Sequence, residues 1–276
     1  MGRMILVTGA TGNVGRPVVD ELLRAGAKVR ALTRDPATAR LPGGAEVART
    51  DESPLDGITA IFLNPAVFWG GVDDLLARAV EHGVRRVVML STSAAVDPDP
   101  SNEIAVHHLA IERAIEDSGM EWTFARPGEF ASNALAWRQT IRAGAAVRGP
   151  YAAARTTPIH ERDIAAVVAR ALLTDDLVGT RPVLSGPESI TVPEKVRLVG
   201  EAIGRPTCFE EITPDEARTE MLAHPHMRPG VVDALLKLRA WSVDHPPEPS
   251  PEVERITGRP ARTFASWAVD HAADFR

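Results

Sequence analysis

The sequence of 276 residues predicts an α/β fold in which a doubly wound parallel sheet is followed by a small C-terminal α+β lid. An apolar run at residues 4–8 leads through three glycines into an amphipathic helix, which is typical of a strand, tight turn and helix. Short apolar runs then alternate with helical patterns, and past Gly179 this alternation stops. We therefore expect a domain at residues 1–157 whose opening turn is typical of dinucleotide binding and, at 158–276, a region that completes the sheet and forms the lid.

The glycine turn gives the first functional prediction. Gly9, Gly12 and Gly15 are spaced three residues apart, which is one residue longer after the first glycine than the usual dinucleotide fingerprint. Gly9 would allow a tight reversal, Gly12 a close approach of backbone amides to a diphosphate, and Gly15 close packing of helix and strand. The predicted cofactor contacts of this turn are Gly9, Thr11, Gly12, Asn13, Val14 and Gly15.

The ends of the next two strands, 27–32 and 45–49, bear on the choice of cofactor. Arg34 follows the second strand, where a guanidinium pairs with the 2′-phosphate of NADP, so NADP(H) is favoured over NAD(H). Asp35 precedes a proline and is better suited to capping a short helix. Asp51 follows the third strand and could face the adenine amino group or cap a turn.

Small and polar residues follow the fourth and fifth predicted strands, 58–63 and 86–90. Asn64, Pro65 and Ala66 form a loop that would pass the cofactor ribose. Phe68 and Trp69 are either walls of a substrate pocket or part of the core. The hydroxyl cluster that follows the fifth strand could bind ligands or cap its own backbone; from it we assign Ser91 to the cofactor and Ser93 to the substrate pocket.

The remaining pattern predicts the other elements. Helices are expected at 71–82, 102–118, 128–143, 164–173, 193–203, 214–243 and 264–275; strands are expected at 121–125, 182–185 and 206–212. The proline-rich residues 245–251 are expected to form a linker.

Composition excludes several classes of function. The net charge is −6 without a basic cluster, which argues against nucleic-acid binding. No apolar run approaches the ~20 residues of a membrane span. A single cysteine, Cys208, and the lack of a signal-peptide pattern favour a cytoplasmic protein. His224 and His226 flank a proline without a third ligand nearby, so a loop is favoured there and no metal is expected.

Several motifs, taken together, resemble the NmrA-like group of atypical short-chain dehydrogenases. They are TGATGNVG at 8–15, HHLAIERAIEDSG at 107–119, MEWTFARPGEF at 120–130, RDIAAVVARALL at 162–173 and SGPESIT at 185–191. The resemblance covers nearly the whole chain and implies a Rossmann domain that binds NAD(P), with a small C-terminal substrate region. Members of the group include NADPH-dependent quinone and dye reductases, isoflavone-reductase-like enzymes and redox sensors that bind the dinucleotide without turnover.

The chain departs from the parent superfamily at its Tyr-x-x-x-Lys pair. Ile104 occupies the tyrosine position and His108 the lysine position, so the usual proton donor is absent. Helical periodicity turns His108 inward, where it would contact the cofactor ribose or simply pack. His108 and Tyr151 are the catalytic candidates. Pro127 and Phe130 complete the expected cofactor contacts, and Phe130, Trp137 and Tyr151 the substrate pocket.

Three functions remain open from the sequence. The first is hydride transfer from NADPH to a quinone-like or conjugated carbonyl acceptor. The second is a non-catalytic NADP sensor that acts through a partner protein. The third is an isomerase or lyase on a secondary-metabolite intermediate. A small-molecule substrate is expected for the enzymes, and the chain is expected to be a monomer or homodimer.

Overall fold

A computed structural model describes residues 3–68, 71–96, 100–224 and 227–276. The first half of the chain forms β1 (Met4–Val7), α1 (Gly15–Arg24), β2 (Lys28–Thr33), β3 (Ala45–Arg49), β4 (Ile58–Leu63), α2 (Asp73–Glu81), β5 (Arg86–Leu90), α3 (Glu103–Asp117) and β6 (Glu121–Pro127). The second half forms α4 (Arg138–Arg142), β7 (Val147–Gly149), β8 (Arg155–Thr156), α5 (Glu161–Leu173), β9 (Val183–Leu184), β10 (Ile190–Thr191), α6 (Val192–Ile203), β11 (Phe209–Glu211), α7 (Pro214–Leu222), α8 (Pro229–Asp244), α9 (Glu252–Thr257) and α10 (Phe264–Asp270).

The main sheet confirms the predicted doubly wound architecture. It has seven strands in the order β3-β2-β1-β4-β5-β6-β9, and every pairing is parallel. Its central strands are apolar because helices cover both faces. The strand order reverses between β1 and β4, so the carboxyl ends of these strands flank a crevice where such sheets bind ligands.

Three hydrophobic clusters hold the layers together. On one face of the sheet α1 and α5 pack through residues that include Val18, Leu22 and Val168. On the other face α2 and α3 pack through residues that include Leu76 and Ile111. The third cluster lies in the lid, where α6 and α10 bury a group of large side chains: Val196, Val199, Phe264, Trp267 and Phe275.

Helix α8 lies over the carboxyl edge of the sheet. A Cβ built on Gly230, in its first turn, would come within 2.3 Å of Glu103 Oε1, so the helix starts directly against the beginning of α3. Farther along, α8 packs against β8. Because α3 follows the carboxyl end of β5, this path carries α8 across the side of the sheet where the crevice opens.

Two predicted helices were wrong in extent. Only Arg138–Arg142 of the predicted helix at 128–143 is α-helical, and Ala131–Trp137 forms a 3-10 helix before it. The reason is tertiary: Glu129 O accepts from Ile159 N at 2.8 Å and Ala131 N donates to Ile159 O at 2.8 Å, so this backbone pairs with a distant segment. The predicted helix at 214–243 is divided into α7 and α8, since Pro229 starts a helix readily but cannot sit inside one.

One smaller expectation was wrong, and another needs an addition. Residues 36–38 form a turn and not a short helix, with Asp35 Oδ1 accepting from Ala37 N at 3.1 Å. Residues 245–251 are irregular, as a linker is, and they are also fixed to the sheet: Ser250 N donates to Ser185 Oγ at 2.7 Å, and the hydroxyl of Ser250 donates to Val183 O at 2.6 Å. These contacts seat α9 against the sheet.

In the part of the chain that the structure describes, none of the helices is long and apolar enough to cross a bilayer. Pro225 and His226 lie outside the described residues, so the loop interpretation of the His-Pro-His segment stays a prediction. The boundary between residues 157 and 158 also stays a prediction.

Candidate cofactor and substrate site

The turn between β1 and α1 uses its glycines in different ways. Gly9 has φ +61°, a left-handed conformation that favours glycine, and Gly12 N donates to Gly9 O at 3.0 Å. A Cβ on Gly15 would lie 2.1 Å from Gly9 O, so this position admits no side chain. A Cβ on Gly12 would meet only Gly9 O, at 3.2 Å, so the rest of its surface is open.

Helix α1 begins in a way that fits an anion. Its N-cap residue is Val14, which supplies no side-chain hydrogen bond to the first turn. Amides that lack such a cap, together with the helix dipole, form a site for phosphate groups. The bare surface at Gly12 and the uncapped helix therefore fit the diphosphate of a dinucleotide.

The loop after β4 lies directly against this turn. Buried Thr8 accepts from Asn64 N at 2.8 Å and donates to Phe62 O at 3.1 Å. Asn64 Nδ2 lies 3.0 Å from the position that a Cβ on Gly9 would take. Asn64 Oδ1 accepts from Ala66 N at 3.1 Å, which fixes the loop through Pro65. The structure thus brings together the first glycine and the loop predicted to pass the ribose.

A groove of about 290 Å³ opens beside the turn. It contains three arginines and one aspartate and is lined by Thr11, Arg16, Thr33, Arg34, Asp35, Thr38, Ala39 and Arg40. The hydroxyl of Thr38 donates to the Asp35 carboxylate at 2.8 Å, so this acid is already engaged by its own turn. Among the described residues no carboxylate pairs with Arg34, which is exposed. The groove is therefore strongly cationic.

A second groove, of about 460 Å³, shares Arg34 and continues along the sheet edge. Its lining comprises Arg34, Arg49, Thr50, Asp51, Val67 and Phe68. Asp51 accepts from Arg49 Nε at 3.0 Å and Nη2 at 2.8 Å, and this hydrogen bonding lowers the pKa of Asp51. Phe68 therefore lines the same groove as Arg34 and Asp51, and its contribution to a substrate pocket stays a prediction. Trp69 lies outside the described residues.

A buried ion pair that sequence reasoning missed fixes the ends of β5 and β6. The Glu112 carboxylate on α3 accepts from the hydroxyl of Ser91 and from Arg126, with Arg126 Nε at 3.0 Å. All three side chains are buried. The hydroxyl of Ser91 is therefore engaged within the protein, and its predicted contact with the cofactor stays a prediction. The signal in the sequence was an acid next to the apolar positions of a helix.

Ser93 lies where β5 and β6 end side by side. A Cβ on Gly128 would be 3.8 Å from Ser93 Oγ, so little separates the two chain segments. Thr92 accepts from Ala94 N at 3.3 Å, which means that the hydroxyl cluster partly caps its own backbone. Pro127 is buried immediately before Gly128.

His108 is half-buried on α3, with Nδ1 2.8 Å from Ile104 O. A carbonyl oxygen can only accept, so Nδ1 carries the proton and Nε2 of the neutral ring is an acceptor. Burial lowers the pKa of His108, which keeps it neutral near pH 7. A neutral ring with an acceptor nitrogen is better suited to binding a ribose hydroxyl than to donating a proton.

The aromatic residues predicted to line the pocket have different surroundings. Phe130 forms a backbone bridge with Ile159 and packs against the core shared by α1 and α5. Trp137 packs against the lid core. Tyr151 is half-buried between β7 and β8 with φ +55°, a conformation that costs a residue with a side chain about 1–2 kcal/mol. Their contribution to one pocket stays a prediction.

A second constellation that was missed lies beside Phe130. Lys195 on α6 is 1% exposed and donates to both carboxylate oxygens of Glu129, at 3.0 and 2.8 Å, and to Thr156 Oγ1 at 3.0 Å. It joins the lid to the end of β6. No sequence pattern indicated this contact, because Lys195 falls on an ordinary helical pattern.

Comparisons with known proteins agree with this geometry. A family model described as NAD(P)H-binding matches residues 9–175. A (4-alkanoyl-5-oxo-2,5-dihydrofuran-3-yl)methyl phosphate reductase of Streptomyces griseus subsp. griseus is 39% identical, over 99% of each chain. An NAD(P)H azoreductase of Xenophilus azovorans is 33% identical, also over 99% of each.

The structure is similar to that of the NADPH-dependent quinone oxidoreductase QOR2 of Escherichia coli complexed with NADPH. The TM-score is 0.79, with 21% identity over 97% of this chain and 99% of the other. At this identity the similarity shows a shared fold.

Proposed function

This chain belongs to the NAD(P)H-binding family and is an NmrA-like member of it, and from that membership we propose that it reduces a conjugated carbonyl compound with NADPH. The observation that carries the proposal is the 39% identity, across 99% of both chains, to a reductase of an acylated dihydrofuranone phosphate. That ring contains a carbon–carbon double bond conjugated to carbonyl groups. The similarity to an azoreductase supports reduction as the shared reaction. Neither the sensor nor the isomerase is favoured by these relatives.

The missing tyrosine is consistent with this choice of acceptor. NADPH, when bound, supplies a hydride. In a conjugated acceptor the β-carbon receives it, the double-bond electrons move to the carbonyl oxygen, and the α-carbon then takes a proton from water. The resulting enolate is delocalised, so this reaction depends less on a strong positioned acid than ketone reduction does.

The residues of the crevice would act by binding and orientation. The first turn of α1 and Gly12 would hold the diphosphate, and Asn64 to Ala66 would border the ribose. His108 would accept a hydrogen bond from a ribose hydroxyl through Nε2, as its contact with Ile104 O allows. These contacts would fix the position of the ribose and so limit the positions open to the nicotinamide ring.

The preference for NADP is part of the proposal. Arg34 borders both grooves, and Arg16 and Arg40 line the first with it. Asp35, the acid that could otherwise bind a free 2′-hydroxyl, is engaged by Ala37 N and Thr38. A 2′-phosphate would therefore meet guanidinium groups and little opposing charge.

The test is reduction of a defined panel by purified protein. The panel contains a 4-acyl-5-oxo-2,5-dihydrofuran-3-yl methyl phosphate, the corresponding alcohol and a simple quinone, each with NADPH and with NADH. We expect stoichiometric NADPH oxidation and a furanone product two hydrogens heavier by mass spectrometry. Tight NADPH binding without turnover on any acceptor would instead identify a sensor, and a product of unchanged mass an isomerase.

A further inference from the structure

Glu129 lies near two cationic side chains. Both of its carboxylate oxygens are bound by the buried ammonium of Lys195. Burial alone would raise the pKa of Glu129, but Lys195 and then Thr156 and Arg239 outweigh it and lower that pKa, so the carboxylate is ionised. One anion thus faces two cations, Lys195 and Arg239.

Arg239 reaches this cluster from α8. Its Nη1 lies 3.8 Å from the position that a Cβ on Gly149 would take, at the end of β7, and its side chain is half-buried. The helix carrying it crosses the carboxyl edge from the start of α3. Arg239 therefore lies near the end of β7 and near Glu129, which follows the carboxyl end of β6.

Neighbouring charges have their own partners. Arg148 is paired with Glu210 and Glu220, and Arg155 with Glu194. Glu211, which is opposite Gly149 in the β7–β11 ladder, accepts from Ala152 N at 2.8 Å. Within the described residues, no carboxylate hydrogen bond to Arg239 is formed. Arg239 is thus a half-buried guanidinium whose donors no carboxylate of the described residues occupies, so they can bind the oxygens of an anionic ligand.

We propose that Arg239 binds an anionic substituent of the substrate, a phosphate ester, and thereby selects charged over neutral conjugated carbonyl compounds. The proposal rests on the proposed function, since it names a feature of the substrate of that same crevice. Lys195 has a different role: it donates to both carboxylate oxygens of Glu129 and holds that side chain in place. The guanidinium fork suits phosphate oxygens because it offers two parallel donors.

The test measures binding separately from turnover. The probes are 4-hexanoyl-5-oxo-2,5-dihydrofuran-3-yl methyl phosphate and its dephosphorylated alcohol, titrated calorimetrically into the protein with saturating NADP⁺. We expect the ester to bind wild type about 10- to 100-fold more tightly than the alcohol, as a charge-assisted contact implies. R239Q should reduce this ratio to near one, and R239K should retain part of it.

K237Q is the matched control, because Lys237 is on the same helix and exposed, and its replacement changes the net charge equally. It should keep the wild-type ratio. An unchanged ratio in R239Q, an equal loss in K237Q, or equally weak binding of ester and alcohol by wild type would each overturn the proposal. Discrimination in binding without reduction of any acceptor would refute the reductase function alone. Reduction of both probes without discrimination would refute the Arg239 contact alone.

Discussion

The Cβ position of Gly15 lies 2.1 Å from the carbonyl oxygen of Gly9, whereas that of Gly12 lies 3.2 Å from the same atom. This difference separates a glycine needed for packing from one needed for binding. G15A must displace backbone, and we expect it to lower the free energy of unfolding by about 3 kcal/mol. G12A should fold nearly normally but raise the Kd of NADPH at least ~10-fold, because its methyl group disturbs amide–phosphate hydrogen bonds.

Urea unfolding and NADPH fluorescence titration of both variants check this prediction. Equal stability losses in G12A and G15A would show that the two glycines share one structural role.

Arg34 is expected to read the 2′-phosphate. R34Q should raise the Kd of NADPH by ~10- to 100-fold and change that of NADH less than ~2-fold, since only NADPH loses a charge-assisted contact. The remaining NADPH affinity should depend less on salt. R24Q, an exposed arginine on α1 that pairs with Glu21, is the control and should leave both constants unaltered. A parallel loss for the two cofactors in R34Q would remove Arg34 from 2′-phosphate recognition.

His108 is expected to bind the cofactor without acting as an acid. H108N should raise the Kd of NADPH ~5- to 10-fold through loss of one neutral hydrogen bond. Since burial lowers the pKa of His108, the ring is already neutral above pH 6.5, and the dependence of kcat on pH from 6.5 to 8.5 should match wild type. H107N, next to it in the chain, serves as the comparison. A large loss of kcat in H108N, together with the loss of a pH-dependent limb from the plot of kcat against pH, would instead assign proton transfer to His108.

His271 is expected to make the attachment of α10 sensitive to pH. Its Nε2 is 2.7 Å from Glu161 Oε1 and its Nδ1 is 3.0 Å from Asp274 Oδ2. The ring can donate to both carboxylates at once only when it is protonated, because a neutral imidazole has a single N–H. Burial opposes that charge, but the hydrogen bonds to the two carboxylates outweigh it and raise the pKa of His271 above its ordinary 6.5.

A raised pKa in the folded state gives a contribution to stability that is complete below pH 6.5 and disappears as pH rises through the folded value. H271N should therefore be less stable than wild type by about 1 kcal/mol at pH 6, and the difference should shrink by pH 9. Burial lowers the pKa of neighbouring His160, so acidification reduces the contribution of His160 to stability. His160 is present in both proteins, so the quantity to compare is the difference in unfolding free energy between wild type and H271N. A difference that stays constant from pH 6 to 9 would contradict the assignment.

Much of the Rossmann half followed from local pattern. The short apolar runs around Val7, Leu63 and Val88 are buried strands of a parallel sheet, and their order and direction obey general rules of α/β folds. The glycine turn could be predicted for the same reason, since Gly9 adopts a positive φ and Gly15 has no room for a side chain. The starts of helices with side-chain caps could also be predicted, as at Asn102 and Thr191.

The errors arose where distant segments decide local structure. Glu129 and Ala131 pair with Ile159, so the helical pattern that follows β6 does not form an α-helix there. Phe68 could be recognised as a residue at a strand end, but its placement beside Arg34 depends on how the loop after β4 turns. The buried ion pair joins Glu112 to partners 14 and 21 residues away in the chain.

The layered fold, the glycine turn and the family resemblance could be predicted from the sequence, because each depends on residues that are neighbours in the chain. Which polar groups meet depends on folding: Ser91 and Arg126 engage Glu112, and Lys195 neutralises Glu129. The physical reason is that the electrostatic balance of a site is set by groups that folding brings together, and local periodicity carries no record of those distances.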